Sequence, residues 1–220
     1  MKKITLWIAL IALALVNQPS LARDCGFQNG EDRWVIKTTV PNGALDQRVQ
    51  EINLESLIDS TNPTLSKQQK NAIADRRWSG RLAVSDKAGD HASLKEGDMI
   101  SVEGFLYRAR CQKDGDYHLE IGTVNKKGSP CLIVEAPDPN EVNDDALKAR
   151  VTKVRDTLDS LDPGILTGAA NAKLVAVKIT GQFFVDAHHI GGGDPGGGRG
   201  TKHCATNVLE IHPVTGIEVQ

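Results

Sequence analysis

Apolar and polar positions alternate most regularly in the second half of the chain. Tyr117, Leu119 and Ile121 alternate with Asp116, His118 and Glu120 within residues 116–124, and the segments 99–111 and 131–136 are rich in β-branched and aromatic residues. Glycine-containing turns at 113–115 and 126–128 separate these segments. The pattern predicts three antiparallel strands that follow one another as a meander. Gly104 interrupts the first of them, as is typical of a strand that bends or bulges.

A single apolar stripe follows the third predicted strand. Five apolar residues recur at steps of four and three, which is the period of an amphipathic helix. Asn143 is the predicted N-cap of this helix, and Pro163-Gly164 ends it. The stripe consists of Leu147, Val151, Val154, Leu158 and Leu161.

Two more strands are predicted after this helix, at residues 174–188 and 207–212. Pro213 interrupts the second strand, and residues 216–219 follow it. The order is three strands, a helix and two strands. It predicts a mainly β (α+β) fold, a five-stranded OB-like barrel with one helix between strands 3 and 4. A helix packed on an open sheet is the alternative α+β fold.

The first half of the chain has a weaker pattern. Residues 34–40 are rich in β-branched residues and predict a strand, and 67–77 predicts a short helix. The remainder is irregular and polar. We therefore expect residues 23–97 to form an N-terminal extension packed on a barrel domain of residues 98–220.

The N-terminus has the features of a secretory signal peptide. Two lysines precede an apolar run at residues 6–16, and the small residues Ser20 and Ala22 follow it. This predicts a leader of residues 1–22, removed on export to a periplasm or to the outside of the cell. The run is shorter than the roughly 20 residues that span a bilayer, so no transmembrane anchor is expected.

Charge and composition narrow the class of partner. The formal net charge is −2 at pH 7, and loss of the two leader lysines makes it more negative. An acidic chain has no overall electrostatic attraction to nucleic acid. Aromatic residues make up 4% of the chain, too few to favour stacking on bases or sugars. The partner is expected to be an unidentified ligand or a protein of the cell envelope.

The four cysteines predict two disulfides in an oxidising compartment, since no two have the CxxC spacing of a zinc or redox site. The third and fifth strands of an OB barrel run parallel. Cys131, at the start of one, should therefore lie near Cys204, just before the other. This pairing leaves Cys25 to reach Cys111.

An acid lies two residues before a histidine three times in predicted strand sequence. Residues i and i+2 of a strand point to the same face, so each pair sets a carboxylate beside an imidazole. The residue between them belongs to the inward-facing set, so the acids and histidines are expected to form an exposed patch outside the barrel. The pairs are Asp116 with His118, Asp186 with His188, and Glu210 with His212.

Two of these pairs are expected to meet. The last two strands are consecutive and antiparallel, which brings Asp186 and His188 toward Glu210 and His212, with His189 in the connection. Such a cluster suits a divalent transition metal, typically Zn²⁺, or a general base with an orienting acid. An ordinary solvated strand face is the alternative. The remaining pair is expected at the opposite end of the barrel.

The connection between the last two strands, residues 190–203, contains seven glycines. Arg199 and Lys202 would allow this loop to close over an anion, and a plain flexible linker is the alternative. The segment lacks the spacing of a P-loop.

Two short motifs resemble the staphylococcal nuclease-like fold. They are Asp114-Gly115-Asp116 before one strand and Glu135-Ala136-Pro137 after the next. The resemblance implies an OB-type fold in which carboxylates at strand ends hold a metal, with Asp116 and Glu135 at the matching positions. The chain departs from that family because no arginine lies between Asp116 and Glu135.

Four motifs in order also resemble a group of small, uncharacterised exported bacterial proteins. The group's pattern reads DYHL, ExPDP, GxFFDxxH and ELHPV, and this chain carries counterparts at 116–119, 135–139, 181–188 and 209–214. The resemblance implies a shared OB-like fold and no particular activity.

Three functions remain open from the sequence. The first is an exported binding module of unknown ligand, which needs no catalytic residues. The second is a metal-dependent hydrolase, a phosphodiesterase or nuclease-like enzyme, that uses the acid and histidine cluster. The third is a structural protein of the envelope without a ligand.

Overall fold

A computed structural model describes residues 33–74, 80–82, 94–161, 163–167, 173–190 and 204–220. Five strands close into a mixed β-barrel in the order β2-β3-β4-β6-β5, and β5 pairs back with β2. The predicted OB-like barrel is therefore confirmed. The barrel strands are β2 (Met99–Cys111), β3 (Tyr117–Gly122), β4 (Cys131–Ala136), β5 (Val175–Val185) and β6 (Leu209–Val219).

The other elements surround the barrel. A two-residue strand, β1 (Gln50–Glu51), pairs in parallel with the start of β2. The helices are α1 (Trp34–Lys37), α2 (Leu54–Ile58), α3 (Lys67–Ala74), α4 (Asp145–Asp159) and α5 (Pro163–Thr167), with 3-10 turns at Ala44–Asp46, Pro139–Glu141 and Ala187–His189. In the part of the chain described, no helix has the length and apolar character needed to cross a membrane.

The long strand β2 joins both sides of the barrel. Its first part pairs with β5 and its second part with β3, with a register shift between Leu106 and Arg108. Gly104 permits the close approach of neighbouring elements, because a Cβ atom there would lie 2.6 Å from Leu54 Cδ2 and 2.7 Å from the Gly122 carbonyl oxygen. Gly104, where the sequence predicts a bend or bulge, thus lies just before this register shift.

The barrel interior is apolar and is closed on one side by α4. Val154 and Leu158 of this helix join the main core, where both are almost fully buried. The helix begins one residue later than predicted, since the Asp144 carboxylate accepts a hydrogen bond from the Leu147 amide at 2.7 Å and is the N-cap. The predicted helix between the third and fourth barrel strands is confirmed.

Several predictions of local structure are wrong. The strand predicted at residues 174–188 ends at Val185, because Ala187–His189 form a 3-10 turn. Residues 34–40 do not form a strand, because α1 begins at Trp34 and buries Ile36 and Lys37 while Val35 stays exposed. Packing on the barrel here overrides a local β preference. Pro213 does not end the last strand, because the pairing of β5 with β6 shifts register around Gly181, where a missing amide donor is tolerated.

The bridge between Cys131 and Cys204 is confirmed, with Cα atoms 5.2 Å apart. The parallel pairing of β4 with β6 produces this proximity, as predicted. Cys25 lies outside the described residues, so its bridge to Cys111 stays a prediction. The leader of residues 1–22 and the glycine-rich segment 191–203 also lie outside them.

Candidate metal centre

Three neighbouring strands, β3, β4 and β6, bring the ionisable residues together on the outer face of the barrel. Across the antiparallel pair, His118 of β3 lies opposite Glu135 of β4. In the parallel pair, Ile133 of β4 lies beside Glu210 of β6. Two residues further along each strand, this register sets Glu135 beside His212.

A tight turn before β3 adds Asp116 to the same face. Gly115 has a φ of 86°, and the Gln112 amide donates to the Asp116 carbonyl oxygen at 2.9 Å. The Asp116 amide in turn donates to the Asp114 carboxylate at 3.3 Å. From α4, the Arg155 guanidinium donates to the Gly115 carbonyl oxygen at 2.9 Å. These bonds fix the turn and the direction of the Asp116 side chain.

Asp116, Glu135 and His212 form the candidate centre. His212 Nε2 lies 3.3 Å from Asp116 Oδ2, and His212 Nδ1 lies 2.9 Å from Glu135 Oε2. One donor atom from each residue lies within 4.8 Å of the others, so the group can hold a metal ion. Whichever imidazole nitrogen coordinates, the other faces a carboxylate, an arrangement that orients histidine ligands in metalloproteins.

A second histidine positions the Glu135 carboxylate. His118 Nδ1 lies 2.6 Å from Glu135 Oε1 in a hydrogen bond. The other oxygen, Oε2, faces His212 and lies 3.7 Å from Lys37 Nζ. His118 thus holds the Glu135 carboxylate in its orientation through the oxygen that faces away from His212.

These side chains are buried, so the predicted exposed patch is wrong. The exposed fractions of the whole residues are 0% for Asp116 and His212, 1% for Glu210, 4% for His118 and 6% for Glu135. They lie outside the apolar interior, as the alternation predicted. They are shielded from solvent because other parts of the chain pack over that face of the sheet.

The N-terminal segment supplies part of this cover. Gln182 Nε2 bridges it to the barrel by donating to the carbonyl oxygens of Ile36 at 3.2 Å and of His212 at 2.8 Å. The Phe184 ring lies 5.6 Å from the His212 ring, and Lys37 Nζ lies 5.9 Å from the Phe184 ring centre. Helix α1 therefore forms one wall of the candidate centre.

Hydrogen bonding at the centre is incomplete. Neither carboxylate oxygen of Asp116 and neither ring nitrogen of His212 makes a well-aligned hydrogen bond within the described residues, although all of these atoms are buried. A buried polar group left in this state costs about 1–3 kcal/mol, and more if it is charged. The centre thus holds donor atoms that a ligand would satisfy.

At two of the three residues of the candidate centre, the surroundings favour the protonation state that binds a metal ion. Burial raises the pKa of Asp116 well above its usual value, and the nearby Glu135 and Asp114 carboxylates add to this. Burial also acts to raise the pKa of Glu135, but Lys37 and the two histidines outweigh it and hold that pKa well below its usual value. Burial lowers the pKa of His212. Glu135 is therefore ionised and His212 neutral near pH 7.

The predicted cluster between the last two strands is arranged differently. The two strands do pair, with Val185 opposite Leu209. However, the Asp186 carboxylate lies 3.2 Å from His189 Nε2 and is not among the residues of the candidate centre. The His188 side chain lies outside the described part of the structure.

The predicted separation of Asp116 and His118 from His212 is also wrong. The turn before β3 and the middle of β6 lie at the same end of the sheet, because β4 joins the two strands and runs parallel to β6. Glu135 was indicated only by the nuclease-like motif. Lys37 was missed, since a single lysine in a β-like segment gives no signal of a site.

Comparison with known proteins adds no candidate function. No family model and no curated protein matches this chain. The resemblance to small exported bacterial proteins therefore stays a prediction.

Proposed function

We propose that this chain is an exported OB-like binding module whose ligand is a divalent transition-metal ion, held by Asp116, Glu135 and His212. The main support for this proposal is that the donor atoms of Asp116 and His212 are fully buried yet make no well-aligned hydrogen bond in the described structure. Buried polar groups are normally hydrogen-bonded, and exceptions need an explanation. A bound cation would be coordinated by Asp116 and by one ring nitrogen of His212.

The local charge supports a cationic ligand. Four buried carboxylates, from Asp114, Asp116, Glu135 and Glu210, lie in or beside the centre. Among the described residues, Lys37 is the one lysine within salt-bridge distance of the group. Buried carboxylates need a compensating charge, and a divalent ion would supply it.

The donor set indicates the class of metal. Carboxylate oxygens suit hard ions such as Mn²⁺, and imidazole suits Zn²⁺ and Fe²⁺. Two carboxylates with one imidazole therefore favour Mn²⁺, Fe²⁺ or Zn²⁺ over Cu⁺, which prefers sulfur ligands. Zn²⁺ is the first ion to test, because it binds mixed nitrogen and oxygen donors at neutral pH.

Burial favours binding over hydrolysis. A metal-dependent hydrolase keeps one coordination position open to substrate. Here the side chains of Asp116 and His212 are fully buried and that of Glu135 is 8% exposed. The proposed export is supported by the leader-like sequence and by the Cys131–Cys204 disulfide, since structural disulfides persist in oxidising compartments.

The test is metal content after native purification without chelators or a histidine tag. We expect about one divalent ion per chain by elemental mass spectrometry, lost in Asp116→Asn and His212→Gln but kept in the matched control His189→Gln. Wild-type protein that neither contains such an ion nor binds Zn²⁺, Mn²⁺ or Fe²⁺ in calorimetric titration would exclude the proposal. Metal-dependent cleavage of a phosphodiester substrate would favour the hydrolase instead.

A further inference from the structure

Lys37, the last residue of α1, places a positive charge inside the candidate centre. We infer that Lys37 sets the metal affinity of this centre, because its ammonium group compensates the carboxylates until a divalent ion displaces it. The inference rests on the proposed metal site and adds a residue that determines its affinity.

The Lys37 ammonium group lies beside a proposed metal ligand. Lys37 Nζ lies 3.7 Å from Glu135 Oε2, and its side chain is 5% exposed. The same oxygen lies 2.9 Å from His212 Nδ1. Lys37 therefore contacts the carboxylate oxygen that faces the other proposed ligands. A divalent ion on that oxygen would have a buried positive charge as its neighbour, which is strongly unfavourable at low local dielectric.

Several carboxylates surround the Lys37 ammonium group. The carboxylates of Glu135, Asp186, Asp116 and Asp114 all act electrostatically on the Lys37 ammonium group. Arg155 also acts on Asp116, whereas Lys37 is the main compensating charge for the buried Glu135 carboxylate in the metal-free protein. Lys37 therefore compensates the carboxylate charge in the metal-free protein, and the metal ion would compensate it in the metal-bound protein. The two cations compete for the same carboxylates.

The anchoring of α1 shows how Lys37 can leave while the segment stays in place. Just before the helix, Arg33 Nη1 donates to Glu96 Oε1 at 2.7 Å and to the Val185 carbonyl oxygen at 2.8 Å. None of these bonds involves Asp116, Glu135 or His212. The flexible four-carbon stem of lysine lets the ammonium group swing outward on its own. Displacement thus requires a side-chain movement and no loss of the fold.

The first test compares metal affinity in Lys37→Met, Lys37→Arg and wild type by competition with a chelating dye for Zn²⁺. Methionine keeps the length of the side chain and removes the charge, so we expect at least about ten-fold tighter binding. Arginine keeps the charge, so binding should be no tighter than in wild type. The matched control is Lys153→Met, which removes an exposed lysine of α4 and should leave the affinity unchanged.

The second test needs no variant. Acetylation of lysine side chains in native protein, read by mass spectrometry, should modify Lys37 slowly without metal and at least several-fold faster with saturating Zn²⁺. Wild type that binds Zn²⁺ while Lys37 stays equally protected would overturn the inference, as would equal or weaker binding by folded Lys37→Met. In both cases the metal site itself would stand. Absence of Zn²⁺, Mn²⁺ and Fe²⁺ binding in both proteins would overturn both proposals.

Discussion

Two buried ionic clusters flank α1, and they differ in how well their polar atoms are satisfied. Arg33, just before the helix, pairs with Glu96. Lys37, at its end, reaches the carboxylates of the candidate metal centre. Both clusters exclude water to a similar degree. The two clusters therefore differ in hydrogen bonding far more than in burial.

The Glu96 carboxylate has a full set of partners. Its Oε1 accepts from Arg33 Nη1 at 2.7 Å and from the Val185 amide at 2.9 Å. Its Oε2 accepts from Arg33 Nη2 and from the Leu82 amide, both at 2.5 Å. Of the Arg33 guanidinium, only Nε lacks a hydrogen bond within the described residues. This cluster ties the N-terminal segment to the barrel and needs no ligand.

The cluster at the other end of α1 is the opposite case. Asp116 and His212 are as deeply buried as Glu96, yet their side-chain atoms have no well-aligned hydrogen bond in the described structure. A satisfied buried ion pair supports the fold, whereas an unsatisfied group of metal-binding residues indicates a ligand.

Breaking the satisfied cluster should have the largest effect on stability. Glu96→Gln leaves Arg33 buried without a compensating charge, so we expect the free energy of unfolding to fall by about 3–5 kcal/mol. Urea denaturation followed by circular dichroism measures this. A loss below about 1 kcal/mol would show that the pair is not what holds the N-terminal segment.

Saturating the unsatisfied cluster should have the next largest effect. At a free Zn²⁺ concentration one hundred times the dissociation constant, a ligand that binds only the folded state stabilises it by about 2.7 kcal/mol. We expect this gain in wild type and its loss in His212→Gln, in urea denaturation with and without Zn²⁺. Equal stabilisation of both proteins would place the metal elsewhere.

Neutralising Asp116 should stabilise the metal-free protein. The raised pKa means that the folded state binds a proton more tightly than the unfolded one, so this residue's contribution to stability falls as pH rises above about 4. Asp116→Asn removes that penalty, and we expect a gain of about 1–2 kcal/mol at pH 7.

The measurement for Asp116→Asn is the difference in unfolding free energy from wild type between pH 4 and pH 7, with chelator present. The difference should grow toward pH 7. Glu135, whose lowered pKa stabilises the fold as pH rises, is present in both proteins. A variant less stable than wild type at pH 7 would argue that the Asp116 carboxylate is structural.

The smallest effect is expected at the neighbouring acid and histidine pair. His189 lies 3.2 Å from Asp186, but its side chain is 35% exposed. We expect His189→Gln to change the unfolding free energy by less than about 0.5 kcal/mol and to leave Zn²⁺ affinity unchanged. A large loss of affinity would extend the metal centre to the end of β5.

Local patterns were enough to predict the barrel. The alternation in β3 and the apolar run of β4 depend on neighbours in sequence, as does the helical stripe of α4. The bridge between Cys131 and Cys204 followed from the strand order alone. By contrast, Trp34–Lys37 carried a strand-like pattern, and packing of Ile36 and Lys37 on the barrel decided its structure.

The candidate centre was predicted only in part. His212 and Asp116 were recognised as metal-binding types, but which residues meet depends on the stagger of β3, β4 and β6 across the closed barrel. Sequence periodicity gives the face of each strand and not this stagger. Burial of the outer face was likewise hidden, because it depends on α1 packing there.

The most direct measurement is anomalous diffraction from crystals of the native protein soaked with Zn²⁺, recorded on both sides of the zinc absorption edge. We predict one strong anomalous peak within coordination distance of Asp116, Glu135 and His212, about 2.0–2.2 Å from their donor atoms. A map with no peak at these residues under saturating Zn²⁺, or with peaks only at surface histidines, would contradict the proposed metal centre.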